Sequence, residues 1–469
     1  MFDYTMEQVA CAVGGRLVAG SPSMKAASAV IDSRNSGPGA IFFALPGERS
    51  DGHEYVGAAA AAGAAGAIVS RVPDSEVIAS IPESFGLIAV DDVGVSLGRL
   101  ASMHRGRMST SVVAITGSAG KTTTKDMVAS ALSALSSVCA TEGNMNNELG
   151  LPLTLLRIEP DHQAVVVEMA MRGMGEIAEL TAIARPDIGV VTNVGTAHIA
   201  CLGSQDNIAL AKGELVSALP LHGTAILNGD DPRVRAMAGL ARCRTLLYGF
   251  GPDCHVSARN IRQSANSTSF VLMIQGEPVG SHAFTVPLPG IHNVANALAA
   301  IAVGWRLGMT PDEMWRGLGA FAPSEMRMQF RTSEDGRVVI DDTYNANPAS
   351  MMCAIDAAMQ YASGRRVVAV LGDMLELGEQ SAAYHSEVGS HAAEAGVAAL
   401  VTMGELSRHI AKGAISFGMP PECVAVCGDA DEVVREAIHL GSPGDIYLVK
   451  GSRGMRMEKV VEALARCRK

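Results

Sequence analysis

Aromatic residues are scarce. Phe, Tyr and Trp make up 4% of the 469 residues, so the cores must be assembled mainly from small aliphatic side chains. Basic clusters are missing as well. With a net charge of −11 and no run of Lys or Arg, a broad surface for nucleic acid or an anionic membrane is excluded, and the basic residues are expected to act at single points. Cysteine pairing is absent: nine cysteines are scattered singly without paired or metal-ligand spacing, which fits a reducing cytoplasm rather than a disulfide framework. The opening Met1-Phe2-Asp3-Tyr4-Thr5 has neither the basic nor the apolar region of a secretion signal. The longest weakly polar run, the Ala-rich 58–69, is short and broken by glycine, so it reads as a packed helix and not a membrane span.

What the chain does have is length and apolar content. At 469 residues, 48% of them hydrophobic, it is too long for one core, and three domains are expected, over 1–108, 109–321 and 322–469. Their centre is Val112-Val113-Ala114-Ile115-Thr116-Gly117-Ser118-Ala119-Gly120-Lys121-Thr122-Thr123. The β-branched run predicts a buried parallel strand, the glycines a turn, and the apolar period from Thr123 through Val128, Leu132 and Leu135 a helix. Strand, glycine loop and helix together make an anion site. Backbone N–H groups of Gly117, Ser118, Ala119 and Gly120 face a phosphate, Lys121 reaches its outer oxygens, and the Thr122 hydroxyl can ligate Mg²⁺. ATP is the expected ligand. The loop is shorter than the usual pattern, because Ile115 stands where the first glycine belongs. The plainer alternative is a glycine turn with an exposed lysine.

The first domain reads as a small α/β unit with strands near 30–31, 41–44, 66–69 and 86–90 and a helix at 56–65. Ser33 and Arg34 follow its first strand, where the guanidinium can meet a phosphate or carbonyl. Equally, Asp32 and Arg34 can simply pair within a turn. In the second domain, β-rich runs at 164–168, 188–193 and 225–228 alternate with helical segments, predicting a parallel sheet whose ligand loops lie at its carboxyl edge. Candidates there are the polar loop 141–148 with Asn144 and Asn147, then Glu168, Asn193 and His198. Glu168 is either a helix cap or the carboxylate that a bound Mg²⁺ requires, and the second is preferred. Lys212 and, taken alone, His198 read as ordinary structural residues on spacing. Residues 254–289 predict short antiparallel strands, and His292, Asn293 and Asn296 open a helix where Asn amides read an adenine or cap the helix.

The third domain alternates strands at 338–340, 366–371, 398–401, 423–426 and 446–449 with five helices, a Rossmann-like pattern without a G-x-G-x-x-G fingerprint. Three polar loops end its strands: Asp341-Asp342-Thr343-Tyr344-Asn345-Ala346-Asn347-Pro348, Gly372-Asp373-Met374-Leu375-Glu376-Leu377-Gly378 and Lys450-Gly451-Ser452-Arg453. Three such loops at one sheet edge imply a ligand.

Together these motifs resemble the Mur ligases, the ATP-dependent amide-forming enzymes of peptidoglycan precursor synthesis, through nearly the whole chain. The shortened loop around Lys121 is similar to theirs. The opening Asp32-Ser33-Arg34 and Asp51-Gly52-His53, with the loops at 341–348 and 372–378, resemble the family pattern for UDP-N-acetylmuramoyl-tripeptide and D-alanyl-D-alanine as substrates. The resemblance implies attack of the tripeptide carboxylate on ATP, an acyl phosphate, and its capture by the dipeptide amine. It also implies site residues. Lys121 holds phosphates; Thr122 and Glu168 hold one Mg²⁺; His198 and Lys212, the latter carried as a carbamate, stand by a second. Asn293 and Asn296 contact adenine, Arg327 and Asp342 the ATP phosphate and ribose, Ser33 and Arg34 the UDP end, and Tyr344, Asn345 and Asn347 the dipeptide. The third domain would close by a hinge near Ala322–Pro323. Met326 stands where the family usually has Gly, and Ala200-Cys201 where an acidic residue is common. A monomer without membrane insertion or nucleic acid is expected. Competing readings are a folylpolyglutamate-type ligase, which lacks the pattern over 30–53, a P-loop kinase, and a nucleotide-binding regulator without catalysis.

Overall fold

Four sheets carry the chain in the computed structural model, which describes residues 2–466 apart from 48–49, 75, 77, 79–80, 265 and 334. The fold is α/β, with mostly parallel sheets. The first substantial sheet has five strands in the order Arg16–Ala19, Gly86–Ala89, Gly66–Val69, Ala40–Phe43, Ser28–Val30, parallel except where Arg16–Ala19 joins antiparallel. Beside it, Tyr4–Thr5 and Lys25–Ala26 form a two-stranded sheet. Neither Arg16–Ala19 nor this pair is visible in the sequence, because two to four residues with charged members show no alternation.

The central sheet has ten strands. Ser111–Thr116 sits inside it between His162–Glu168 and Ile188–Val191, all parallel, and Thr224–Asn228 and Arg244–Gly249 continue outward. Both faces of Ser111–Thr116 are buried: Val113 and Ile115 enter one apolar cluster, Val112 and Ala114 another. That explains its unbroken apolar run. Two strands were not expected, Ser137–Ala140 at the edge and Arg244–Gly249, whose polar residues hide them. Val256–Gln263 joins Arg244–Gly249 in parallel, and Thr268–Ile274, Glu277–Pro278 and Phe284–Val286 follow as antiparallel strands that extend this same sheet.

Small side chains let its helices approach closely. The helix Ile291–Arg306 buries Ala297, Ala299, Ala300 and Ala302, and a Cβ on Gly317 would stand 2.6 Å from the Ala131 Cα of Lys121–Ser133. The Thr310 capping box and Pro311 start Pro311–Gly319.

The third sheet orders Gln329–Thr332, Val338–Asp342, Ile446–Lys450, Val367–Gly372, Ala399–Met403, Val424–Cys427, parallel after the antiparallel first strand. Five of these six lie within two residues of expectation, and Gln329–Thr332 is the addition. One apolar cluster joins Val113 and Ile301 of the central unit with Ile340, Ala369 and Leu448 of this one. The polar strand ends of the two sheets consequently border a common cleft. Among the described residues no helix is long and apolar enough to cross a membrane.

Candidate active site

The cleft is about 1000 Å³ and is lined from both sheets. Its floor is the loop from Gly117 to Gly120. Gly117 (φ 153°) lies against Thr192, where a Cβ would overlap Thr192 Oγ1, and Gly120 (φ 77°) would place a Cβ 2.7 Å from Asn296 Oδ1. Only glycine fits both close approaches. From the next strand Asn193 brackets the loop, its Oδ1 accepting from Ala119 N at 2.8 Å and its Nδ2 donating to Ala119 O at 3.0 Å. Lys121 opens the helix Lys121–Ser133, and its Nζ donates to Gly117 O at 2.8 Å. Burial pulls its pKa down, opposed by Glu168 and reinforced by Arg327.

Thr122 Oγ1 donates to Glu168 Oε2 at 2.7 Å and accepts from Arg327 at 2.8 Å. Glu168, 2% exposed at the end of His162–Glu168, also accepts from Asn146 Nδ2 at 2.8 Å, and its N–H donates to Thr141 Oγ1. Asn146 was not singled out in the sequence: its neighbours Asn144 and Asn147 share its residue type, and only the fold shows which one meets Glu168. Asn144 lines the cleft; Asn147 instead accepts from Gly150 N and supports the next helix.

His198 follows Ile188–Val191 in a left-handed conformation (φ 63°). Its Nδ1 lies 3.0 Å from Glu376 Oε2 of the third unit, without the alignment of a hydrogen bond. Burial, then Lys121, favours its neutral ring, against Glu376. Lys212 is 2% exposed in Gln205–Ser217 and forms no ion pair among the described residues. Burial, with Lys121 nearby, holds its pKa well below the ordinary lysine value. The reading from spacing, an ordinary helix lysine, does not account for its burial.

Asn293 and Asn296 are buried at the cleft with amides already engaged: Asn293 Nδ2 donates to Pro289 O, Asn296 Nδ2 to Asn293 Oδ1, and Thr124 Oγ1 to Asn296 Oδ1. Arg327 projects from the third unit across the cleft, its guanidinium 4.1 Å from the Tyr344 ring centroid. Met326 (φ 58°) and Met328 (φ 47°) flank it in the left-handed region, so the position where the resemblance expects Gly has the conformation glycine prefers. Asp342 accepts from Lys450 Nζ at 2.5 Å and from Met328 N at 3.2 Å. Asn347 caps Pro348–Ala362 and reaches Ser118 O at 3.5 Å, while Tyr344 and Asn345 line the cleft. Ser33 and Arg34 stand outside it. They form a short turn in which Arg34 pairs with Asp32 at 2.6 Å.

Buried polar atoms without partners gather here: Ser118 Oγ, Arg327 Nε and His198 Nδ1. Such atoms, with Lys121 and a glycine loop, fit a polyphosphate. Thr122 and Glu168 offer the hard oxygens Mg²⁺ takes beside phosphate. No group of three or more His, Cys, Asp or Glu fit to hold a metal by itself occurs among the described residues.

Three family models match in register with these parts: "Mur ligase family, catalytic domain" over 27–103, "Mur ligase middle domain" over 115–304 and "Mur ligase, glutamate ligase domain" over 326–453. The chain is 36% identical to the UDP-N-acetylmuramoyl-tripeptide–D-alanyl-D-alanine ligase of Bacillus subtilis, over 92% of each chain. A crystal structure of MurF from Acinetobacter baumannii superposes with a TM-score of 0.90 at 31% identity, covering 99% of both chains. MurF of Thermotoga maritima in complex with ADP gives 0.80 at 28%, covering 93% of this chain and 97% of that one. The glycine loop and its carboxylate partner thus sit within the second of three consecutive family domains and the third-unit arginine within the third, and the chain belongs to the Mur ligase family.

Proposed function

We propose that the protein joins D-alanyl-D-alanine to UDP-N-acetylmuramoyl-tripeptide at the expense of ATP, yielding ADP, phosphate and the UDP-linked pentapeptide of peptidoglycan synthesis. One observation carries the reading: Lys121, the Thr122–Glu168 pair and Arg327 converge from two units on a single cleft. The relatives named for this reaction, and the neighbour bound to ADP, support it.

Two anions must meet before any bond forms, so the chemistry is dominated by charge. The loop amides and Lys121 hold the β- and γ-phosphates, and Arg327 faces the transferring group. The tripeptide carboxylate attacks the γ-phosphorus, the bond to the β-γ bridging oxygen breaks, and ADP leaves. The dipeptide amine then attacks the acyl carbon, loses its extra proton, and phosphate departs with the C–O bond. Mg²⁺, held by Thr122 and Glu168, supplies charge neutralisation when bound. His198 and a carbamylated Lys212 are suited to a second ion, since a desolvated, neutral amine is the form that captures CO₂. Asn293 and Asn296 take the adenine edge, Asp342 the ribose, Ser33 and Arg34 the UDP end, and Tyr344, Asn345 and Asn347 the dipeptide. The cytoplasm suits a reaction on ATP by a chain whose described cysteines are unpaired.

The acyl phosphate has an isotopic signature. With the tripeptide's terminal carboxylate labelled with ¹⁸O, one label should appear in the released phosphate. Phosphate free of label would rule out this route.

A further inference from the structure

The loop Lys450-Gly451-Ser452-Arg453 has no assigned task, although it lines the cleft. Lys450 is buried and internal: its ammonium ties Asp342 to Asn345 O, at 2.5 and 2.8 Å. Arg453 differs. Its Nη1 donates to Met326 Sδ, a weak acceptor, and lies 3.9 Å from Glu458 Oε2, with 56% of the side chain exposed. Its guanidinium therefore meets Glu458 only at the limit of an ion pair and hydrogen-bonds no carboxylate among the described residues.

Next to it stands the loop that carries Glu376. The strands before the two loops, Val367–Gly372 and Ile446–Lys450, are parallel neighbours. Two hydrogen bonds lock the loops together: Leu375 N donates to Ser452 Oγ at 2.9 Å, and Ser452 N to Asp373 O at 3.0 Å. Leu375 bridges the charges. It precedes Glu376, is 42% exposed, and its Cδ1 lies 3.0 Å from where a Cβ on Gly454 would stand. Glu376 sits in the left-handed region (φ 63°), a conformation a side chain occupies only under constraint, and this turns its carboxylate to His198. One rigid wall thus presents acid, aliphatic surface and base in that order, with the acid on the side of the reaction centre.

We propose that this wall grips the incoming dipeptide as a zwitterion: Arg453 binds its carboxylate, Leu375 meets its methyl groups, and Glu376 receives its amino end beside His198. The assignment rests on the ligase reading and specifies how the acceptor is recognised. It also fixes direction, since the amine that must reach the acyl carbon lies at the His198 end. Free phosphate or water offers no such pair of ends.

The test is steady-state kinetics of the full chain with D-alanyl-D-alanine and with its C-terminal amide. Wild type should have KM for the amide raised about 10- to 100-fold, as loss of a charge-assisted hydrogen bond implies. Arg453→Ala should raise KM for the dipeptide to the amide's level, erasing the discrimination, with KM for ATP unchanged as proof of an intact site. Arg453→Lys should restore part of it, and Glu376→Gln should raise KM for both acceptors. A variant Arg453→Ala that keeps the wild-type ratio overturns the proposal, and so does a ratio abolished by Arg172→Ala instead, the other arginine at the cleft with no assigned partner. Failure of wild type to form product with either acceptor would remove the ligase reading itself, a result separate from loss of discrimination.

Discussion

Lys212 is buried and forms no ion pair among the described residues, and burial, with Lys121 nearby, holds its pKa well below the ordinary lysine value, which favours the neutral amine. The unfolded lysine takes up its proton at about pH 10.4 and the buried one only at a lower pH, so this group's contribution to stability falls as pH drops from the first value towards the second. Lys212→Met removes the penalty. In CO₂-free buffer it should stabilise the fold by about 1–3 kcal/mol at pH 7 and by less at pH 10, while abolishing turnover. Denaturant titrations at the two pH values check the sign. Lys121→Ala should lower kcat by at least about 10²-fold, the usual cost of one transition-state donor, with an unchanged melting temperature. At this scale the sequence was informative where a residue sits in a motif. Lys121, Thr122 and Glu168 could be picked by position after a strand, but Lys212 could not: helix spacing does not tell a solvated lysine from one sealed under Gln205–Ser217. Asn146 was missed because its loop neighbours Asn144 and Asn147 are of the same residue type.

Strands and helices that fill the core were legible, since burial on both faces writes itself as runs such as Val112–Ile115 or the alanines of Ile291–Arg306. Three edge strands and the interior Arg244–Gly249, which begins with polar residues, were not. Arg16–Ala19, Ser137–Ala140 and Gln329–Thr332 pair through backbone groups, and their side chains are polar or half-exposed. The glycine loop belongs to this scale because its shape comes from neighbours: Thr192 and Asn193 on one side, Asn296 on the other. Gly117→Ala drives a Cβ into Thr192 and should raise KM for ATP at least about tenfold with a lower melting temperature. Gly308→Ala is the comparison, since a Cβ there meets nothing within 4 Å; its left-handed φ should cost about 1–2 kcal/mol with ATP use unaffected. Equal effects on KM would show that space around the loop does not matter.

Across the whole molecule, the site exists only because two sheets share a cleft. Arg327 meets Thr122, Ser324 bonds Asp126, and Glu376 approaches His198, each pairing one residue from beyond position 322 with one before it. A hinge in the short segment around Ala322 and Pro323 would let such contacts open and close. The alternation of strands and helices announced an α/β chain, and the family motifs announced its chemistry. The cross-cleft partners were not legible, because nothing local relates Arg327 to Thr122 over 205 residues. The central claim is that one cleft couples ATP cleavage to peptide-bond formation. It is tested most directly by measuring phosphate release from ATP with UDP-N-acetylmuramoyl-tripeptide, with and without D-alanyl-D-alanine, alongside the product mass. The account predicts sustained release only with the dipeptide, one phosphate per pentapeptide formed; sustained release without it, or release with no new peptide bond, would contradict the account.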